Sequence, residues 1–146
     1  AQQKRCDTLT LIANSIGAFF SLSSLSEATI DKAYLISPII DMENLIGEMM
    51  RRENVTEQKL AEKRKIPTAF GETLSWQYLS YVREHPLFCR IPTRILYGEL
   101  DALTSLETVS AFAERIGAEL TVMPGGEHWF HTEDQLRFLD RWIRTE

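Results

Sequence analysis

Thr8-Leu9-Thr10-Leu11-Ile12-Ala13-Asn14-Ser15-Ile16-Gly17 is the stretch that decides the fold. Residues 8–13 form a short apolar, β-branched run of the kind that makes a buried strand. The run passes without a spacer into Asn14-Ser15-Ile16-Gly17, after which Ile16, Phe19, Phe20 and Leu22 recur near helical spacing up to about Leu25. The order is strand, abrupt turn, helix. Ser15 stands at the turn, with the small residues Ala13 and Gly17 two positions before and after it. A turn this sharp strains the serine backbone and presses the flanking positions against neighbouring chain, so minimal side chains are expected there. It also lifts the hydroxyl above the carboxyl edge of the sheet and aims the start of the following helix, with the Ile16 amide, at the same point.

Working outward, Lys32-Ala33-Tyr34-Leu35-Ile36-Ser37 reads as a second strand closed by Pro38, and Thr93-Arg94-Ile95-Leu96-Tyr97 as a third closed by Gly98. A fourth, Glu119-Leu120-Thr121-Val122-Met123, stops at Pro124-Gly125-Gly126. Between the last two lies a helix with Leu106, Val109, Phe112, Ala113 and Ile116 on one face. Thr104 and Glu107 match a capping box at its start, and Gly117 ends it. A final helix carries Leu136, Leu139, Trp142 and Ile143 behind a Thr132/Gln135 box. Strands alternating with helices of this length predict an α/β chain, a parallel sheet with flanking helices. Residues 39–90 interrupt the alternation with a helical pattern and no strand, which predicts a helical cap inserted into a single domain spanning 1–146. Its Met and aromatic residues suit either packing or the lining of an apolar pocket. Lys63-Arg64-Lys65 is expected on a solvated helix face.

The composition narrows the function. A chain of 146 residues can bury roughly two thirds of its unfolded surface, enough for one core. With 44% hydrophobic and 25% charged residues it falls in the soluble globular class. Sixteen basic residues against 21 acidic ones give a net charge of -5, so no nucleic-acid partner is expected. No apolar run reaches the ~18 residues of a membrane span, and the N-terminus lacks a signal-peptide core, which together predict a cytoplasmic protein. Cys6 and Cys89 form no CxxC and are expected as reduced thiols. With no GxGxxG after a strand and no P-loop, no cofactor is expected. His131, three residues beyond His128, has Glu127, Glu133 and Asp134 nearby. No HExxH or cysteine pair completes a ligand set, so no metal is expected. His85, before Pro86, reads as structural or solvated.

Two further groups follow strands in chain order after Ser15. Asp101 lies in Tyr97-Gly98-Glu99-Leu100-Asp101 after the third strand, and His128 in Pro124-Gly125-Gly126-Glu127-His128 after the fourth. Small-x-Ser-x-Gly at a strand-to-helix turn, then an acid, then a histidine, resembles the α/β-hydrolase superfamily, specifically its small-capped serine esterases and lipases. The residues from Ile91 to Asp101 look like that family's acid-bearing strand, and Gly126-Glu127-His128-Trp129-Phe130 like its histidine loop. The resemblance implies Ser15 as nucleophile, His128 as general base and then acid, Asp101 as the group that orients the imidazole, and Ile16 as an oxyanion donor. Asp41 is a competing acid, because some members of the superfamily carry it after the preceding strand. The implied reaction is hydrolysis of a small or medium carboxylic ester through an acyl-enzyme, without a cofactor. The other reading is a non-catalytic relative that binds an apolar ligand or partner.

A complete fold of this kind has further strands before the elbow, one of whose loops supplies a second oxyanion amide. Residues 1–7 resemble the tail of the helix that leads into the elbow strand, so the chain reads as the C-terminal half of a partial α/β-hydrolase fold. Taken alone, it should expose the edge of the elbow strand and apolar surface on Ile12, Phe19 and Phe20. Self-association through that edge is the expectation.

Overall fold

The structure, a computed structural model, describes residues 7–25 and 29–145. The helix-tail reading of the first residues and Cys6 therefore fall outside the described residues, apart from Asp7. In chain order the elements are β1 (Thr10–Asn14), α1 (Ile16–Ser24), β2 (Lys32–Ile36), α2 (Met42–Arg52), α3 (Glu57–Lys63), β3 (Lys65–Pro67), β4 (Thr73–Ser75), α4 (Trp76–Glu84), β5 (Thr93–Gly98), α5 (Leu106–Ile116), β6 (Glu119–Met123) and α6 (Glu133–Arg144). They divide into two compact units, residues 41–86 and the remainder.

The larger unit is built on a parallel sheet in the order β1-β2-β5-β6. Ala33 and Leu35 of β2 and Ile95 and Leu96 of β5 have no exposed surface. Successive residues point to opposite faces, so both faces of these central strands are covered. On one face Tyr34, Ile36, Leu96 and Met123 pack with Trp142 of α6, joined by Phe138, Leu139 and Ile143. The α5 helix buries Val109, Phe112 and Ala113 and stops at Gly117, whose φ of 67° fits glycine because it has no Cβ. Register aligns the strand ends: Asn14 pairs with Ile36, Ile36 with Leu96, and Gly98 with Met123. Ser15, Ser37, Glu99 and Pro124 thus leave the sheet along one carboxyl edge, where parallel α/β sheets present their sites.

β1 is the strand expected of residues 8–13, with Ile12 open as expected of the chain taken alone. Among the described residues it pairs with β2 alone, and Ile12 is 54% exposed. Phe20 is likewise open at 48%, but Phe19, expected on the same uncovered surface, is buried at 3%. Consecutive residues of a helix point about 100° apart, and α1 turns Phe19 inward and Phe20 outward.

The unit formed by residues 41–86 is narrower than the 39–90 insertion, and its pattern is not purely helical. β3 and β4 form an antiparallel hairpin, Lys65 to Ser75 and Pro67 to Thr73, turned by Gly71 at φ 93°. Leu60, Leu74 and Leu79 are buried within the unit. Arg83 of α4 donates to Glu43 at 2.6 Å and, with two nitrogens, to Glu57 at 2.6 and 2.9 Å. That pairing holds the Glu57 carboxyl below its ordinary range. Lys63, Arg64 and Lys65 are exposed.

Candidate active site

The apolar strand β1 ends at Asn14, and α1 begins at Ile16, so a single residue makes the turn. Ser15 does so at φ 51° and ψ -127°, a conformation costly for any residue with a Cβ. Two backbone hydrogen bonds, one from β2 and one from the loop that follows it, hold it there. The Ser15 N–H donates to the Ile36 carbonyl at 2.9 Å, and the Ile39 N–H donates to the Ser15 carbonyl at 3.0 Å. A serine at this position of a helix ordinarily accepts from an amide of the first turn. Ser15 makes no such bond. Its hydroxyl is turned instead to His128, with Oγ 2.8 Å from Nε2.

The imidazole is fixed from its other side, Nδ1 lying 2.8 Å from Asp101 Oδ2. All three side chains are buried. A carboxylate can only accept, so the neutral ring carries its proton on Nδ1 and offers the Nε2 lone pair to the Ser15 hydroxyl. Asp101 is held in turn by its other oxygen, which accepts from the amides of Leu103 at 2.8 Å and Thr104 at 3.4 Å. Tyr97, buried in β5, donates its hydroxyl to the Thr104 carbonyl at 2.7 Å, and the Asp101 carbonyl lies at 3.3 Å. Burial and, to a lesser degree, the Asp101 charge push the Tyr97 hydroxyl above its ordinary pKa, keeping it a donor. With Thr104 committed to the acid turn, the cap of α5 passes to Ser105, whose Oγ accepts from the Thr108 N–H at 3.1 Å. The Thr104/Glu107 box is replaced by that register, whereas Thr132 caps α6 as expected, accepting from the Gln135 N–H at 3.3 Å. Ile16 is the first residue of α1, where amides have no acceptor within the helix.

No protein-family model and no curated protein sequence matches the chain. Solved structures do. A protein of Agrobacterium vitis S4, provisionally named a hydrolase, superposes with a TM-score of 0.70 at 18% identity over 92% of this chain and 59% of that one. Est1E from Butyrivibrio proteoclasticus gives 0.68 at 15% identity over 99% of this chain and 65% of that one. An α/β serine hydrolase homologue from Coxiella burnetii gives 0.53 at 19% identity over 94% and 48%. The chain has part of the α/β-hydrolase fold. It spans 48% to 65% of the length of these three proteins.

Within this α/β-hydrolase fold the crowding expected at Gly17 is found elsewhere. A Cβ at Gly17 would meet nothing within 4 Å, whereas one at Gly98 would lie 2.6 Å from the Glu127 carbonyl oxygen and 2.7 Å from the Gly126 carbonyl. Gly98 is where the acid turn touches the histidine loop, backbone against backbone. The contact is stapled by Leu100 N–H to the Gly126 carbonyl at 2.8 Å and by Gly125 N–H to the Glu99 carboxylate at 2.7 Å. Gly98→Ala must therefore displace the loop that carries His128. We expect it to cost at least about tenfold in activity, a loss that misplacement by an ångström can produce. Gly17→Ala is expected to leave activity unchanged and to stabilise α1 by up to about 1 kcal/mol. Steady-state kinetics and urea unfolding of the two variants check both, and equal activities would refute the contact.

The remaining candidates do other things. Asp41 Oδ1 accepts from the Asn44 N–H at 2.9 Å and caps α2 in the 41–86 unit. His131 Nδ1 donates to the Trp129 carbonyl at 2.7 Å, with Glu127 Oε2 at 3.4 Å. Among the described residues no three His, Cys, Asp or Glu side chains gather as metal ligands would. His85 stacks on Tyr81 with ring centroids 4.2 Å apart. Sequence reading missed Tyr97 and the contact at Gly98. A phenol in a buried strand must find an acceptor, which is the signal that marks Tyr97.

Proposed function

We propose that this chain is part of a serine hydrolase that cleaves carboxylic esters through an acyl-enzyme. The observation that carries the reading is the hydrogen-bonded relay from Ser15 to His128 to Asp101, with the serine hydroxyl turned away from capping its helix. Ser15 Oγ attacks the ester carbonyl carbon while its proton passes to His128 Nε2, and the carbonyl oxygen becomes an anion facing the Ile16 amide. Collapse breaks the bond to the alcohol, whose oxygen takes the proton from Nε2. Water then gives a proton to Nε2 and attacks the acyl-serine, and the returning proton frees Ser15 with release of the acid. The Asp101 carboxylate stays ionised throughout and stabilises the imidazolium. Reaction of the whole protein with a fluorophosphonate, followed by peptide mass spectrometry, tests this directly. An adduct on Ser15 is expected; an unmodified Ser15 would favour the non-catalytic reading, a module binding an apolar ligand or partner.

For the 146-residue chain taken alone we propose self-association through the side of β1 that has no partner strand among the described residues. The described part of that strand, Thr10–Asn14, has no charged side chain to deter pairing, and Ile12 and Phe20 add open apolar surface beside it. A second copy related by a two-fold axis satisfies the edge most simply. Sedimentation equilibrium should show a dimer, and a monomer stable to concentration would refute it.

A further inference from the structure

We propose that Trp129 walls the subsite for the ester's alcohol portion, and that this alcohol is bulky, apolar and uncharged, an aromatic alcohol fitting best. The inference rests on the ester-hydrolase reading and sharpens it to a substrate class. In that reaction the leaving oxygen must come within hydrogen-bond reach of His128 Nε2 to collect its proton, so the alcohol lies beside the imidazole while the acyl group stays on Ser15. Trp129 is the next residue, and its ring stands edge-on to the imidazole, centroids 5.1 Å apart and planes at 86°. The backbone under it is pinned, because the Trp129 carbonyl accepts from His131 Nδ1 at 2.7 Å and the His131 N–H donates to Gln135 at 3.1 Å. Yet the side chain is 61% exposed. A large aromatic surface on a pinned backbone, edge-on to the imidazole that gives the proton and left open, is a preformed apolar contact for whatever departs from it.

Charge at the same edge supports an uncharged alcohol. The loops leaving the sheet at residues 14–17, 37–40, 98–105 and 124–132 contain Glu99, Asp101 and Glu127 but no lysine or arginine. No lysine or arginine on these loops neutralises a phosphate or carboxylate, and an anionic leaving group would meet the like charge of the three acids.

The test uses the whole protein and two ester series. One keeps the acetyl group and varies the alcohol from methyl to benzyl and 2-naphthyl; the other keeps methanol and lengthens the acyl chain. Because kcat/KM reports steps up to alcohol release, an alcohol subsite shows there and depends on the alcohol alone. Trp129→Ala should lower kcat/KM for benzyl and 2-naphthyl acetate about tenfold, the worth of one aromatic contact. Methyl acetate and the whole acyl series should stay within twofold, and Trp129→Phe should retain most of the preference. In the unaltered protein, 4-carboxybenzyl acetate should be several-fold poorer than benzyl acetate. A uniform loss across alcohols, or a loss that follows acyl length, would overturn the subsite; parity of the charged and neutral benzyl esters would overturn the neutral-alcohol assignment. No hydrolysis of any ester by unaltered protein would instead overturn the ester-hydrolase reading, and this inference with it.

Discussion

Ser15→Ala should lower kcat/KM for ester hydrolysis by about 10⁴-fold or more, the cost of removing a nucleophile from a working triad. The fold should survive the change. Alanine keeps the Cβ and so the same backbone demand, and the Ser15 hydroxyl caps no helix amide whose loss would unravel α1. Ser15→Gly should be equally inactive but more stable than the alanine variant by roughly 1–3 kcal/mol, because glycine relieves the strain of φ 51° and ψ -127°. Initial rates and urea unfolding of the two variants separate these effects. Activity within tenfold of the unaltered protein would remove Ser15 from the mechanism, and equal stability of the two would mean that the turn is not strained.

That strain is legible in the sequence, because an apolar strand running without a spacer into a helix leaves Ser15 alone to make the turn. The four strands of the parallel sheet were legible for a similar local reason, each being a stretch of at least five residues rich in β-branched and apolar side chains and ended by a turn residue or proline. The hairpin of β3 and β4 was not. Its strands, Lys65–Pro67 and Thr73–Ser75, are three residues each and are too short to establish a period of two. Thr104 has the stronger local credentials of two adjacent cap residues, with Glu107 three positions on, yet the cap falls to Ser105 because Tyr97 and Asp101 already bind the Thr104 backbone. Gly98 reads in sequence as the end of a strand; its closeness to Glu127, 29 positions on, belongs to tertiary structure. The order Ser15, Asp101, His128 named the polar constellation, while the phenol and the glycine that hold it required the fold.

The acid offers the second large effect, and the hydrogen bonds around Asp101 determine its sign. Asp101 Oδ1 accepts from the Leu103 and Thr104 amides, and Oδ2 faces His128 Nδ1. An asparagine in this place must turn its carbonyl oxygen toward the two amides, since its NH₂ cannot accept from them. The NH₂ then faces Nδ1 and donates to it, which drives the ring proton to Nε2. There it points at Ser15, and the ring can no longer take the serine proton. Asp101→Asn should therefore reduce kcat by about 10⁴-fold with the acid turn intact, as the loss of tautomer control does in other serine triads. Asp41→Asn should change activity little, because asparagine caps a helix about as well as aspartate and can still accept from Asn44. Kinetics of the two variants at one pH, with unfolding curves to confirm that both fold, settle which carboxylate serves the histidine. A larger loss at Asp41 than at Asp101 would move the acid to the earlier strand and leave the Asp101 hydrogen bond to His128 a structural one.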